Sequence, residues 1–213
     1  MQQFDPIRGA GANFVSNADG ITNTGFEIEL YYAATDRLTL SGNFSYTETE
    51  YGEDYFVFTV DDPINPVPVF GTFTQGFVSA QVTDPSQASD YTVNLKGGPL
   101  KGIPEEKATI RVSYEQDTRF GPLYYLLSHS YTGDFSASGI QRPLDRIDSR
   151  ETTNLNISWY SQDGNLSLRA YVDNLFDNDN YYALSTGDHE TNYRKSVTAL
   201  PPRVMGLDIR YRF

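Results

Sequence analysis

Cysteine is absent from this sequence, so neither a disulfide framework nor a thiolate metal site can be drawn from it. Histidine is almost absent: His129 and His189 are too few and too far apart to suggest a zinc cluster. Basic residues are scarce, with 16 Lys and Arg against 28 Asp and Glu for a formal net charge of -12, which excludes nucleic acid as a partner because no phosphate-neutralising patch is available. No run approaches about 18 consecutive apolar residues, which excludes a transmembrane helix. It leaves a membrane β-barrel open, since each barrel strand carries only an alternating segment of about ten residues. Met1-Gln2-Gln3-Phe4 opens the chain without the basic and apolar regions of a signal peptide. Catalytic signatures are missing as well: there is no Gly-x-Ser-x-Gly elbow, phosphate loop or paired-His motif, and Gly9-Ala10-Gly11 lacks the strand-helix context of a dinucleotide site. An enzyme is the least expected reading, and no cofactor or resident metal is implied.

What the chain does contain is rings and alternation. Aromatic residues make up 14%, with 16 Tyr and 13 Phe, yet the mean hydropathy is -0.48. Many rings in a polar chain suit strands with a single apolar face better than a thick two-sided core. Period-two alternation predicts seven strands, over residues 22–34, 38–48, 106–116, 123–132, 151–161, 165–176 and 203–213. Residues 1–20, rich in glycine and without a period, read as loop, and residues 49–103, 134–148 and 177–202 read as long connections. Short runs inside the first of these, Tyr55-Phe56-Val57-Phe58 and Phe77-Val78-Ser79, are candidates for small strands.

Short turns at 33–37, 117–122 and 161–164 interleave with the long connections. In an antiparallel meander, alternate connections emerge at opposite ends, so all the short turns gather at one end and all the long loops at the other. Outer-membrane barrels have this bias and soluble sandwiches do not require it. Eleven residues at about 3.3 Å each, tilted by about 40–45°, give roughly 26 Å of height, near the apolar band of such a barrel. Phe26, Ile28, Leu30, Leu40, Phe44, Ile110, Val112, Leu168, Leu207 and Ile209 would then face lipid. Glu27, Glu29, Arg111, Arg169, Asp208, Arg210 and Arg212 would face a wet lumen. Tyr31-Tyr32, Tyr46, Tyr51, Tyr114, Tyr124-Tyr125, Tyr131, Trp159-Tyr160 and Tyr211 fall near strand ends, where rings with polar tips suit a headgroup interface.

The residues also admit a soluble β-sandwich carbohydrate-binding module that uses the loops of one end, or a passive porin-like barrel. In each case ligand contact falls to the loops. The candidates are Tyr55, Phe56, Asp61 and Asp62, then Arg142 and Arg146, then His189, Tyr193 and Arg194, a mixture of rings and charges able to stack on a sugar or planar chelate or to bind a charged ligand.

The run Asp173-Asn174-Leu175-Phe176-Asp177-Asn178-Asp179-Asn180-Tyr181-Tyr182 resembles a signature of the last loop region of TonB-dependent outer-membrane receptors. The ending Pro202-Arg203-Val204-Met205-Gly206-Leu207-Asp208-Ile209-Arg210-Tyr211-Arg212-Phe213 resembles their final barrel strand, and Thr24-Gly25-Phe26-Glu27-Ile28-Glu29-Leu30 is similar to a recurrent strand opening. The resemblance implies an all-β antiparallel meander forming the C-terminal strands of a transmembrane β-barrel, about seven strands with the plug domain absent, spanning residues 1–213 in the cell outer membrane. It implies uptake of a scarce solute such as an iron-siderophore, a cobalamin-like cofactor or an oligosaccharide. Its implied partners are outer-membrane lipid and lipopolysaccharide, the TonB complex acting through an N-terminal part absent here, and the barrel assembly machinery, for which Tyr211 and Phe213 would be the signal. Asn174, Leu175 and Phe176 carry the family motif, with closure of a strand end as the expected role.

Overall fold

A computed structural model describes residues 2–4, 13–15, 20–58, 92–141, 143–186 and 194–213. Its strands are β1 (Gln2–Phe4), β2 (Asn13–Val15), β3 (Ile21–Ala33), β4 (Leu38–Tyr51), β5 (Phe56–Phe58), β6 (Thr92–Asn94), β7 (Glu106–Thr118), β8 (Gly121–Thr132), β9 (Phe135–Ser136), β10 (Arg146–Ile147), β11 (Arg150–Tyr160), β12 (Leu166–Asp173), β13 (Tyr181–Thr186), β14 (Lys195–Ala199) and β15 (Val204–Tyr211). Seven of them form one antiparallel meander in the order β15-β12-β11-β8-β7-β4-β3. The connections 34–37, 119–120 and 161–165 lie at one end of the sheet, and 52–105, 133–149 and 174–203 lie at the other.

The long connections hold structure of their own: β5 falls on the Tyr55–Phe58 run expected as a small strand, and the other short strands lie where plain loop was expected. Two-stranded ribbons β5-β6, β9-β10 and β13-β14 fold within them, and β1-β2 pairs inside the segment read as loop at the start of the chain. Phe77-Val78-Ser79 lies outside the described residues.

Register explains how the sheet holds two solvents apart. One row runs through all seven strands, Tyr32 opposite Leu40, then Val112, Leu127, Leu155, Val172 and Met205. The adjacent row on the other face contains Tyr31, Ser41, Arg111, Ser128 and Asn154. Nothing in the described residues covers the apolar face: Ile28, Leu30, Ile110, Met205, Leu207 and Ile209 are each more than half exposed. The only buried hydrophobic side chains among the described residues are Tyr51, Tyr55, Leu95 and Ile147, all at the long-loop end. An uncovered apolar sheet of this extent suits hydrocarbon rather than water.

The apolar face also records the tilt of the strands. Its outward run is Phe26, Ile28, Leu30 and Tyr32 on β3, and Met205, Leu207, Ile209 and Tyr211 on β15, with only the Tyr32–Met205 row in common. The band therefore slips about one residue per strand, and about 3.3 Å of rise against about 4.8 Å of spacing corresponds to roughly 35°. That is the tilt that closes strands into a barrel. Moving the register by one residue would turn Arg111 and Arg169, both near the middle of this band, into hydrocarbon at about 2–4 kcal/mol each.

The aromatic pairs divide between the faces, because adjacent residues on a strand point opposite ways. Tyr32, Tyr125 and Trp159 belong to the apolar face, whereas Tyr31, Tyr124 and Tyr160 belong to the polar one. Tyr51 is 4% exposed beneath the long connections, so it is a packing residue rather than a headgroup contact.

Candidate functional site

Two regions can meet a solute, the polar face of the sheet and the crown of long connections above it. On the polar face, Asn156 Oδ1 accepts from Arg169 Nη2 at 2.8 Å and Nε at 3.1 Å. The guanidinium lies 5.0 Å from the Tyr171 ring and 3.5 Å from the Asp208 carboxylate. Gly206 makes this arrangement possible, since a Cβ there would sit 2.5 Å from the Tyr171 ring. Further along the sheet, a hollow of about 410 Å³ is lined by Glu29, Tyr31, Ser41, Asn43, Thr109 and Arg111 among others. This wall carries both charges and offers many hydrogen-bonding groups.

The crown is a locked assembly. Tyr51 and Tyr55 stack with centroids 5.6 Å apart over Leu95, and Val93, Leu100 and Ile140 pack around them. Gln141 Nε2 donates to Pro99 O at 3.0 Å and Gly102 N to Ser136 O at 2.8 Å, which ties the first long connection to the second. Asp145, 1% exposed, accepts from Thr186 Oγ1 at 2.6 Å, and Lys195 Nζ donates to Leu144 O at 2.6 Å, which ties the second to the third. Asp54 accepts from Asn94 Nδ2 at 3.0 Å and pairs with Lys96 at 3.2 Å. The amide and then the ammonium hold its carboxyl below the usual carboxylate range.

The family-motif residues form a clasp. Asn174 has φ 51° and is 4% exposed; its Nδ2 donates to Asn178 O at 2.8 Å and Pro201 O at 3.0 Å, while its Oδ1 accepts from Asn178 N at 2.9 Å. Asn154 Oδ1 receives the Asn174 N–H at 2.9 Å, and Thr153 O receives that of Leu175 at 2.7 Å. Asp177, at φ 57°, accepts from Arg203 N at 2.8 Å. Asn174 thus joins the end of β12 to β11 through its backbone N–H and to the segment before β15 through its buried side-chain amide. A positive φ suits Asn, whose short polar side chain bonds locally. Phe176 is 76% exposed, an outlying ring rather than part of a core.

Of the loop candidates, Tyr55 is buried in the crown and Arg146 is paired with Asp134. Arg194 is exposed just before β14. Phe56 lies in β5, and Asp61, Asp62, Arg142, His189 and Tyr193 fall outside the described residues. Tyr211 and Phe213 make an edge-to-face pair at 5.2 Å, with Phe213 wholly exposed. Sequence reasoning passed over the Asn156 acceptor and the Asp145–Thr186 and Lys195–Leu144 bonds. Only the alternation around Arg169 hinted at any of these.

A tilted sheet with hydrocarbon on one face, water on the other and its long loops at one end is a section of transmembrane β-barrel wall. Its family follows from comparison: the model described as "TonB dependent receptor-like, beta-barrel" matches residues 1–175, and the chain belongs to that family. The family consists of receptors rather than enzymes, and its barrels lie in the outer membrane. A search of curated proteins found no match. Among solved structures, the ferric yersiniabactin uptake receptor FyuA from Yersinia pestis matches at 18% identity with a TM-score of 0.62, over 91% of this chain and 24% of that one. The siderophore receptor PiuA from Acinetobacter baumannii matches at 14% with a TM-score of 0.60, over 90% and 22%, and the ferric preacinetobactin receptor BauA from the same organism at 13% with 0.57, over 90% and 22%. The chain therefore spans about a quarter of the length of these receptors, and at such identities the likeness is one of fold.

Proposed function

We propose that this chain forms part of the barrel wall of a receptor for TonB-energised uptake of a scarce solute, with an iron-siderophore favoured over a cobalamin-like cofactor or an oligosaccharide. The observation that carries the reading is the two-solvent sheet with every long connection at one end, in a chain of the TonB-dependent receptor family. The preference for an iron chelate rests on the ferric yersiniabactin, siderophore and ferric preacinetobactin receptors being among its structural likenesses. In this reading the crown offers rings and charges to the solute, and the polar face, with Arg169, Asp208, Arg111 and Glu29, lines the path inward. Energy reaches the barrel through TonB acting on a part outside this chain. Tyr211 and Phe213 end the strand that the assembly machinery recognises.

Among the described residues no strand pairs with the outer edges of β3 and β15, and hydrocarbon does not tolerate unpaired backbone groups, so in this reading further strands complete the cylinder. Uptake of radiolabelled ferric chelates by cells carrying the intact receptor tests the function. Accumulation that requires both the receptor and TonB is expected. Equal accumulation in cells lacking the receptor, across a panel of chelate classes, would rule out an iron-chelate role.

A further inference from the structure

On the polar face, β3, β4 and β7 form a groove with banks of opposite charge. Its floor is β4, where the small polar side chains of Ser41, Asn43 and Ser45 turn inward. Glu27 and Glu29 stand on the β3 bank, Lys107 and Arg111 on the β7 bank. Register sets Glu27 and Lys107 straight across Ser45 from each other, whereas Glu29 and Arg111 face each other diagonally over Asn43 and Ser41. The hollow of about 410 Å³ is the part of this groove nearer the short turns.

All four charged residues are exposed, and among the described residues none has an ion-pair or hydrogen-bonding partner for its side chain. Arg169, on the same face, shows the contrast, since Asn156 and Asp208 already engage it. The two banks stand two strand spacings apart, about 9.6 Å. One small group can bridge that gap: an ammonium donating to a carboxylate at about 2.9 Å, and a carboxylate about 3 Å further along the same group accepting from a cation at about 2.8 Å, together about 9 Å.

The field across the groove discriminates among ligands. Its two carboxylates balance its two cations, so a ligand with a single charge is attracted to one bank and repelled by the other. A ligand carrying both charges is attracted to both banks, in one orientation only. We propose that this groove is a passage station for a solute bearing an α-amino-carboxylate zwitterion, its ammonium on the Glu27 and Glu29 bank and its carboxylate on the Lys107 and Arg111 bank. The assignment rests on the uptake reading and adds to it the charge class of the chelate.

The test uses one ferric trihydroxamate scaffold in three forms: with a free α-amino-carboxylate terminus, with that amine acetylated, and with that carboxylate converted to its amide. Binding of each to the intact receptor in nanodiscs is measured by equilibrium dialysis of radiolabelled iron, and TonB-dependent uptake into cells is measured alongside. Heat-modifiable electrophoretic mobility verifies that each variant is folded. Wild type should bind the zwitterion at least about tenfold more tightly than either singly charged form. Glu29→Gln and Arg111→Gln should each cut that preference to under about threefold, while the charge-keeping Glu29→Asp and Arg111→Lys retain it. Equal affinity of wild type for the three forms would overturn the station, and so would a preference that both neutral variants keep. A lower unfolding midpoint of the ligand-free neutral variants with an unchanged preference would give the groove to the rest of the receptor's own chain, which also overturns it. Charge-dependent binding without TonB-dependent uptake would instead count against the transport reading and leave the zwitterion site standing.

Discussion

Asn174 concentrates several backbone obligations in one amide. Its side chain serves two carbonyls and one N–H while its own backbone holds a positive φ. Asn174→Gly keeps the dihedral and loses the bonds, whereas Asn174→Ala loses both. Orphaning buried polar groups costs about 1–3 kcal/mol each, so urea unfolding of the intact receptor in lipid should place Ala about 2–4 kcal/mol below wild type and Gly between them. A loss under about 0.5 kcal/mol for Ala would show that the clasp is incidental. The motif itself was readable in the sequence, but its partners were not: Pro201 and Asn154 come beside it only when β11 and β15 flank β12.

Neighbouring residues on one strand make the sharpest residue-level test of the two solvents. Ile110 faces outward and is 57% exposed, while Thr109 faces the polar side beside Asn43 and Ser130. Ile110→Arg should cost about 2–4 kcal/mol of stability in lipid bilayers and Thr109→Arg less than about 1. Similar losses at both positions would mean that the outward face does not touch hydrocarbon.

At the scale of elements, the turn between β11 and β12 carries its own hydrogen-bond network, with one bond outward from Gln162 Nε2 to Arg119 O at 2.9 Å. Between β11 and β12, Asp163 accepts from Ser161 Oγ at 2.6 Å and from Asn165 N and Nδ2 at 3.1 Å each. The Ser161 hydroxyl first, then the Asn165 amide, hold this carboxyl below its ordinary value of 3.8. A depressed carboxylate contributes stability above its unfolded value and loses it as pH falls through the folded one. The turn should therefore be intact at pH 7 and loosen only below about pH 4, with the Asn165 amide resonance titrating at a midpoint under 3.8. A midpoint at or above that value would contradict the hydrogen bonding described. This turn was legible because the partners of Asp163 lie within two residues of it, whereas the Gln162–Arg119 bond, across 43 positions, was not.

The crown was opaque for the opposite reason. Asn94 reaches Tyr55 across 39 positions, and Asp145 reaches Thr186 across 41. Composition marked these stretches as aromatic and acidic, and nothing local distinguished a ring that packs, such as Tyr55, from one that meets solvent.

For the whole molecule, Phe213 is wholly exposed and, among the described residues, its ring pairs with that of Tyr211. Removing it should therefore leave unfolding of refolded receptor unchanged within about 0.5 kcal/mol, while the assembled, heat-modifiable form in outer membranes falls severalfold, as an assembly signal requires. Unchanged assembly would reduce Phe213 to a rim aromatic.

Alternation by itself determined the seven strands and the face each residue takes, because an antiparallel sheet between two solvents forces chemistry to repeat every second position. Only the tertiary structure decided which loops interlock and that Tyr51 and Tyr55 are interior. Those outcomes depend on strand register and tilt, which bring residues distant in sequence to a common height, and period-two chemistry carries no information about which distant partner arrives there.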